Sequence, residues 1–169
     1  PTHPYAADIG MRNAAARHTV AGRYTPTNAR TPMQWDDSTN AGFSSAPASS
    51  LYIAMDPDKD RPTAKKEMVD PNSLYNEVKK LIQIRQSHKA LQSRGKITFV
   101  YAEKDAYPLA YIREEGDEKI LVIINAAAEA KTFACDTELK EAIYNFGAAA
   151  EAKNGKITVP AQSAGFYRI

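Results

Sequence analysis

Hydrophobic positions follow a helical period in one segment of the chain. Apolar residues recur three or four positions apart across residues 71–88, at Leu74, Val78, Leu81 and Ile84. This spacing predicts an amphipathic helix whose apolar stripe packs against a core. Asp70 suits the N-cap position of this helix and Pro71 its first position. His88, near the predicted end, is expected to be a surface or capping residue.

Downstream of this helix the pattern changes to short apolar segments separated by turn residues. The predicted strands are 96–103, 107–114, 119–126, 131–135, 142–146, 156–159 and 165–169. Glu115-Gly116-Asp117 and Asn154-Gly155 provide turn signals between neighbouring strands. Closely spaced short strands of this kind predict an antiparallel β sandwich or barrel.

Residues 1–70 show neither period. They hold seven of the ten prolines, which disfavour long helices and central strands. Three interpretations are open: disorder, a functional loop system, or part of a fold that lies mostly outside this sequence. Aromatic residues such as Tyr24, Trp35 and Phe43 disfavour disorder.

Composition excludes several functional classes. The 22 Lys and Arg residues against 20 Asp and Glu give a net charge of +2 without a basic block, so no nucleic-acid partner is expected. The only cysteine, Cys135, permits no internal disulfide, and the three histidines fit no zinc spacing. We therefore expect no metal, no cofactor, no membrane segment and a cytoplasmic location. A complete (β/α)8 barrel needs about 250 residues, more than this chain contains.

One segment, residues 30–44, combines rigidity with flat apolar surfaces. Pro32 fixes a backbone dihedral, and Trp35 and Phe43 offer aromatic faces. Arg30 provides a forked cation for a carboxylate or for sugar hydroxyls. The segment suits a carbohydrate site, but the aromatic rings could equally anchor the loop, with Arg30 in a structural ion pair.

Within this segment, Arg30-Thr31-Pro32-Met33-Gln34-Trp35 closely resembles a signature of glycoside hydrolase family 13, in the α-glucosidase, oligo-1,6-glucosidase and trehalose synthase branch. Asn40-Ala41-Gly42-Phe43-Ser44 is similar to the segment that follows the signature in that branch. Residues 8–11, 70–85 and 159–169 resemble the end of the eighth barrel strand, the last barrel helix and the closing strands of the C-terminal domain.

The resemblance implies an α+β fragment. Residues 1–91 would be the tail of a (β/α)8 barrel, with the loop after strand eight and the final helix. Residues 92–169 would be an antiparallel β-sandwich C-terminal domain. It also implies a retaining glycosidase acting on α-linked glucose oligosaccharides, whose catalytic carboxylates precede Pro1. No catalytic residue is expected in this chain, which should be inactive alone; Arg30 would contact substrate.

Two alternatives concern the β region: a carbohydrate-binding module, or a purely structural module. The chain starts at Pro1 and not at Met, so we expect that it was cut from a longer protein. The stripe of Leu74, Val78 and Leu81 would then need the missing upstream barrel, or self-association, to cover it.

Overall fold

The computed structural model describes residues 31–169. The chain divides after Val78 into two units, whose described parts are residues 31–78 and 79–169. The first unit has 3₁₀ turns at Thr39–Gly42 and Ala48–Ser50 and a short helix, α1, at Ala64–Val69. Helix α2, Leu74–Ser87, begins in the first unit and ends in the second. A 3₁₀ turn at Lys89–Leu91 follows it. The proposed domains 1–91 and 92–169 stay a prediction.

The two helices lie close together in sequence, and each has its own cap. Thr63 is buried and its hydroxyl accepts a hydrogen bond from the N–H of Lys66 at 3.3 Å, which starts α1. This helix is absent from the sequence-based prediction. The prediction that Asp70 caps the second helix is wrong, because Asp70 closes α1 instead. Ser73 takes that role, and its Oγ accepts from the N–H of Asn76 at 3.2 Å.

Helix α2 confirms the predicted apolar pattern but buries none of its residues. Leu74, Val78 and Ile82, four residues apart, are 73%, 44% and 52% exposed. Leu81 and Ile84 are half-buried. The expected exposure of the stripe therefore holds for Leu74 and Val78 and is partial for Leu81. Neither α1 nor α2 is long and apolar enough to cross a membrane.

The rest of the second unit consists of eight antiparallel strands. They are β1 Lys96–Tyr101, β2 Leu109–Glu115, β3 Glu118–Asn125, β4 Lys131–Ala134, β5 Ala142–Phe146, β6 Glu151–Lys153, β7 Lys156–Val159 and β8 Ser163–Arg168. Five form a sheet in the order β1-β2-β3-β8-β5, and three form a second sheet in the order β4-β7-β6. Strand β6 was not predicted, whereas the hairpin at Asn154-Gly155 is confirmed by positive φ at both residues.

Apolar side chains from the two sheets form the main core. Leu121 and Ile123 of β3 and Ile157 of β7 are fully buried, and Phe133 of β4 is 3% exposed. Burying each such side chain stabilises the fold by about 1.5–3 kcal/mol. Cys135 packs on this core, half-buried, as expected of a small apolar residue.

The opposite face of the five-stranded sheet carries a row of apolar side chains. Directly paired positions across the sheet are Phe99, Tyr111, Val122, Phe166 and Tyr144. The rings of Phe99 and Tyr111 are 6.1 Å apart, and those of Tyr144 and Phe166 are 5.0 Å apart. Phe99 is nevertheless 60% exposed, so one end of this row faces solvent.

Polar contacts fasten the end of α2 to this sheet. His88 Nδ1 lies 2.6 Å from Glu118 Oε1, and the N–H of Ala90 donates to Glu118 Oε2 at 2.9 Å. His88 is thus half-buried in an ion-pair position and is not the surface residue that the sequence predicts. Burial acts to raise the pKa of Glu118, but the donors at Ala90 and His88 and the charge of Arg168 hold the pKa below its usual value.

Candidate functional site

The described part of the candidate loop begins at Thr31 and is shaped by three successive left-handed residues. Asn40, Ala41 and Gly42 have φ values of 50°, 53° and 70°. Ala41 is fully buried. A Cβ on Gly42 would lie 3.0 Å from Asp36 Oδ1 and 3.2 Å from Trp35 Cβ. Asn40 and Gly42 are residue types that commonly adopt this backbone conformation. Ala41 does not favour it, but its small side chain fits the fully buried position.

Hydrogen bonds close the loop on itself. The N–H of Trp35 donates to the carbonyl of Ala41 at 2.8 Å. The Asn40 side-chain amide donates to the carbonyls of Ser44 at 2.8 Å and Ala46 at 2.7 Å. These bonds bring both ends of residues 35–46 together without any regular strand. The backbone of the loop is therefore held in a defined conformation.

The same loop supports the start of α1. The carbonyls of Gln34 and Trp35 accept hydrogen bonds from the N–H groups of Ala64 at 2.8 Å and Lys65 at 2.9 Å. These N–H groups have no partner within a helix, because the first turn always leaves its donors free. Trp35 is thus fixed through its backbone between Ala41 and Lys65, whereas its side chain is 52% exposed.

Both acidic side chains of the loop are already engaged. The N–H of Ser38 donates to Asp36 Oδ1 at 2.8 Å, and the Ser38 hydroxyl donates to the same oxygen. These two hydrogen bonds hold the pKa of Asp36 below its usual value. Asp37 Oδ1 lies 2.9 Å from Lys66 Nζ. The two carboxylates flank an open depression of about 360 Å³ with Lys65 and Val69, and neither is arranged for proton transfer.

Apolar side chains provide much of the outward surface of this unit. Met33, Trp35, Phe43 and Tyr52 are each 48–69% exposed. The interpretation in which Trp35 and Phe43 only anchor the loop is therefore incomplete, since about half of each side chain remains available to a partner. Gln34 Oε1 is buried and has no hydrogen-bond partner within residues 31–169.

The predicted substrate-binding residue, Arg30, lies outside the described residues, immediately before Thr31. Its proposed role stays a prediction. Within residues 31–169, no three His, Cys, Asp or Glu side chains are grouped so that they could hold a metal ion. The described loop can present aromatic faces and backbone groups to a ligand.

Comparison with known families supports the resemblance noted in the sequence. The model of the α-amylase catalytic domain matches residues 4–94, which include the whole of the candidate loop, α1 and α2. The chain belongs to the α-amylase family. The described loop, the two helices and the antiparallel sheets, together with this match, confirm the predicted fold class: the tail of a (β/α)8 barrel followed by a β-sandwich domain.

Individual members of the family are similar over much of the chain. An oligo-1,6-glucosidase of Parageobacillus thermoglucosidasius is 40% identical over 106 residues, which are 63% of this chain and 18% of that protein. A glucan 1,6-α-glucosidase of Streptococcus pneumoniae is 32% identical over 133 residues, 79% of this chain and 24% of that protein. The chain therefore spans about a quarter or less of their lengths.

Solved structures of family members share this fold. The trehalulose synthase of Pseudomonas mesoacidophila superposes with a TM-score of 0.73 at 30% identity. That alignment covers 91% of this chain and 27% of the synthase. Sequence reasoning allowed a tight turn at Gly42 but missed that Asn40 and Ala41 before it also adopt positive φ. A signal for this conformation was present in Asn40 and Gly42, which commonly adopt positive φ, but not in Ala41.

Proposed function

We propose that the chain is the C-terminal part of a retaining α-glucosidase-type glycoside hydrolase that acts on α-glucosidic bonds of oligosaccharides. The observation that carries this proposal is the family match over residues 4–94, which contains the loop with its exposed aromatic side chains. The similarity to an oligo-1,6-glucosidase and a glucan 1,6-α-glucosidase supports the substrate class.

The chain alone should not catalyse hydrolysis. A retaining glycosidase needs two carboxyl groups about 5–5.5 Å apart on either side of the scissile bond. Asp36 accepts hydrogen bonds from Ser38, and Asp37 forms an ion pair with Lys66. Neither carboxylate is therefore free to act as nucleophile or acid. We propose that the nucleophile and the acid belong to the upstream part of the parent enzyme. We further propose that this enzyme is cytoplasmic and needs no cofactor.

In the parent enzyme Arg30 would orient the sugar. A guanidinium presents several N–H donors in a fixed plane, which suits two neighbouring acceptors better than an ammonium does. Thr31 follows directly and leads into the loop that Asn40 and Trp35 hold closed. A fixed support of this kind keeps a positioning group within the narrow geometric range that reaction requires.

For the β unit we propose a structural role in preference to carbohydrate binding. Two of its tyrosines, Tyr144 and Tyr167, are 5% and 4% exposed, so their rings are not free to stack on a sugar. Its most exposed rings belong to Phe99 and Phe146, which offer no hydrogen bond to hydroxyl groups. Such side chains suit contact with protein.

Activity assays on two lengths of the protein test the main proposal. The 169-residue chain should show no turnover of maltose, isomaltose or an aryl α-glucoside. A version extended upstream to a complete barrel should hydrolyse at least one of them. Turnover by the 169-residue chain at a rate comparable to that of the extended version would contradict the proposal.

Substitution in the extended enzyme tests Arg30. Loss of a charge-assisted hydrogen bond costs about 1.5–3 kcal/mol, so Arg30→Ala should lower kcat/KM roughly 10- to 150-fold. Arg30→Lys should recover part of the lost kcat/KM, because lysine keeps the positive charge but lacks the planar set of N–H donors. Arg94→Ala, at an exposed arginine outside the loop, is the matched control. An unchanged kcat/KM for Arg30→Ala would assign Arg30 a structural role.

A further inference from the structure

The turn that joins β6 to β7 consists of Asn154 and Gly155, a dipeptide with a chemistry of its own. A backbone nitrogen can attack the side-chain amide of the asparagine before it, and glycine hinders this attack least because it has no Cβ. Asn154 is exposed, as are all three residues of β6. A short exposed strand of this kind opens locally at a low cost in free energy. The turn therefore presents Asn154 both to water and to its own backbone.

Asn154 is one of six asparagines within residues 31–169, and most of the others are held by hydrogen bonds. The side chains of four are bonded to other groups, namely Asn40, Asn76, Asn125 and Asn145. Of the six, only Asn72 and Asn154 are exposed, and neither side chain makes a hydrogen bond within the described part of the chain. Among these six asparagines, the amide is therefore free at two positions.

The attacking nitrogen distinguishes the two exposed asparagines. After Asn72, the N–H of Ser73 donates to a backbone carbonyl at 3.1 Å, and Ser73 is 5% exposed. After Asn154, the N–H of Gly155 donates to no group within residues 31–169. Both partners of the reaction, the side-chain amide and the next backbone nitrogen, are thus free at Asn154 and not at Asn72.

We propose that Asn154 is a site of spontaneous deamidation, and that it is converted before any other asparagine of residues 31–169. The nitrogen of Gly155 loses its proton and bonds to Cγ of Asn154, and the Cγ–Nδ2 bond breaks to release ammonia. Water then opens the resulting succinimide ring. Addition of water at Cγ leaves aspartate, and addition at the backbone carbonyl carbon leaves isoaspartate. Solvent water is the only co-reactant, and the proposal does not rest on the proposed enzymatic function.

The surroundings of the turn make this conversion consequential. The carbonyl of Gly155 accepts a hydrogen bond from the N–H of Cys135 at 2.9 Å, which ties the turn to the segment after β4. A Cβ on Gly155 would lie 2.6 Å from Asp136 Oδ1, so a carboxylate already borders the turn. A second negative charge at residue 154 is repelled by it. Conversion therefore changes the charge of the turn in every product, and isoaspartate also lengthens its backbone.

Incubation of the full chain in mildly alkaline buffer, followed by ion-exchange chromatography, tests the proposal. An acidic form should accumulate, because an amide becomes a carboxylate. Cleavage after Glu151 releases residues 152–169, in which Asn154 is the only asparagine, so the mass of this peptide reports conversion at that position. Asn154→Gln should lose most of the acidic form, because glutamine has to close a larger ring. Asn72→Gln, at the other exposed asparagine, is the matched control and should behave like wild type.

The same reaction in urea shows whether the fold sets the order of conversion. Unfolding frees the N–H of Ser73, so folding should slow the conversion of Asn72 more than that of Asn154. Equal slowing of these two positions by folding would overturn the proposal. So would earlier conversion of any other asparagine of residues 31–169, or equal formation of the acidic form by wild type and Asn154→Gln.

Discussion

Gly42 determines the geometry of the candidate loop at the level of a single residue. Its φ of 70° follows two further left-handed residues, and its missing Cβ leaves room for Asp36 and Trp35. An L residue here meets two costs at once: the backbone conformation itself and the close approach of neighbouring atoms. Glycine is therefore required by the fold of the loop, independently of any ligand.

Gly42→Ala should destabilise the loop by about 1–2 kcal/mol from backbone conformation alone, with an added steric cost. Trp35 reports this directly, since it is the only tryptophan and its Cβ lies 3.2 Å from the position that the new methyl group would take. We expect the fluorescence emission of Trp35 to shift, and the loop to unfold at a lower urea concentration.

Gly116→Ala is the control for this substitution. Gly116 has a φ of 58°, but a Cβ there would meet nothing within 4 Å. It therefore carries the conformational cost without the clash, and Trp35 emission should stay unchanged. An equal change in Trp35 emission for the two variants would contradict the role assigned to Gly42.

At the scale of elements, the sequence predicted most strands because their apolar residues alternate between two covered faces. Strand β3 is the clearest case, with Ile120 and Val122 on one face and Leu121 and Ile123 on the other, all buried. Strand β6 was missed because Glu151–Lys153 is short and wholly exposed, so no pattern of burial marks it.

Helix boundaries were predicted less well for a different reason. Asp70, Ser73 and Thr63 are all good capping residues, and sequence alone does not say which hydroxyl or carboxylate meets a free N–H. In the loop, the aromatic faces of Trp35 and Phe43 followed from the residue types, whereas the positive φ of Ala41 could not be foreseen. The substrate contact of Arg30 was drawn from the resemblance and stays a prediction. The hydrogen bond between Trp35 and Lys65 joins residues that are far apart in sequence.

The junction between α2 and β3 should make the stability of the second unit depend on pH. The pKa of Glu118 is lowered in the folded chain, so its contribution is fully present above the pKa of the unfolded carboxyl group and is lost as the pH falls through the lowered pKa of the folded state. Glu118→Gln should lower the free energy of unfolding by about 1–2 kcal/mol at neutral pH. The difference from wild type should shrink as the pH falls through the lowered pKa of Glu118.

Glu129→Gln is the control for this pH dependence. The hydrogen bond from Lys131 also lowers the pKa of Glu129, but the Glu129 side chain is 68% exposed. Urea unfolding of this variant should follow wild type closely across the same pH range. If both variants lose the same stability at neutral pH, the buried contacts of Glu118 with His88 and Ala90 are not the cause.

At the scale of the whole molecule, the exposed stripe of α2 is the feature that calls for a partner. Leu74, Val78 and Ile82 lie on one side of a helix that belongs to the region matched by the α-amylase catalytic domain. In the proposed parent enzyme, we expect the upstream barrel to cover this stripe, because exposed apolar rows of this kind mark contact surfaces.

Thiol labelling compares the two lengths of the protein. In a Cys135→Ser background, Leu74→Cys should react readily in the 169-residue chain and about tenfold more slowly in the extended version. Lys153→Cys, on the exposed strand β6, should react equally in both. Equal labelling of Leu74→Cys in the two lengths would show that the upstream region does not cover α2.

The continuity of α2 through Val78 and Lys79 decides how the C-terminal half can be produced on its own. A protein that starts at residue 92 would lack His88 and Ala90. Glu118 would then lose two hydrogen-bond donors. The loss of Ala90 would also expose Ile120 and Val122, which pack against it. A start at Lys79 would cut the helix in mid-turn. A protein that starts at Ser73 keeps the hydroxyl that caps α2 and every contact that the sheet makes with the end of this helix.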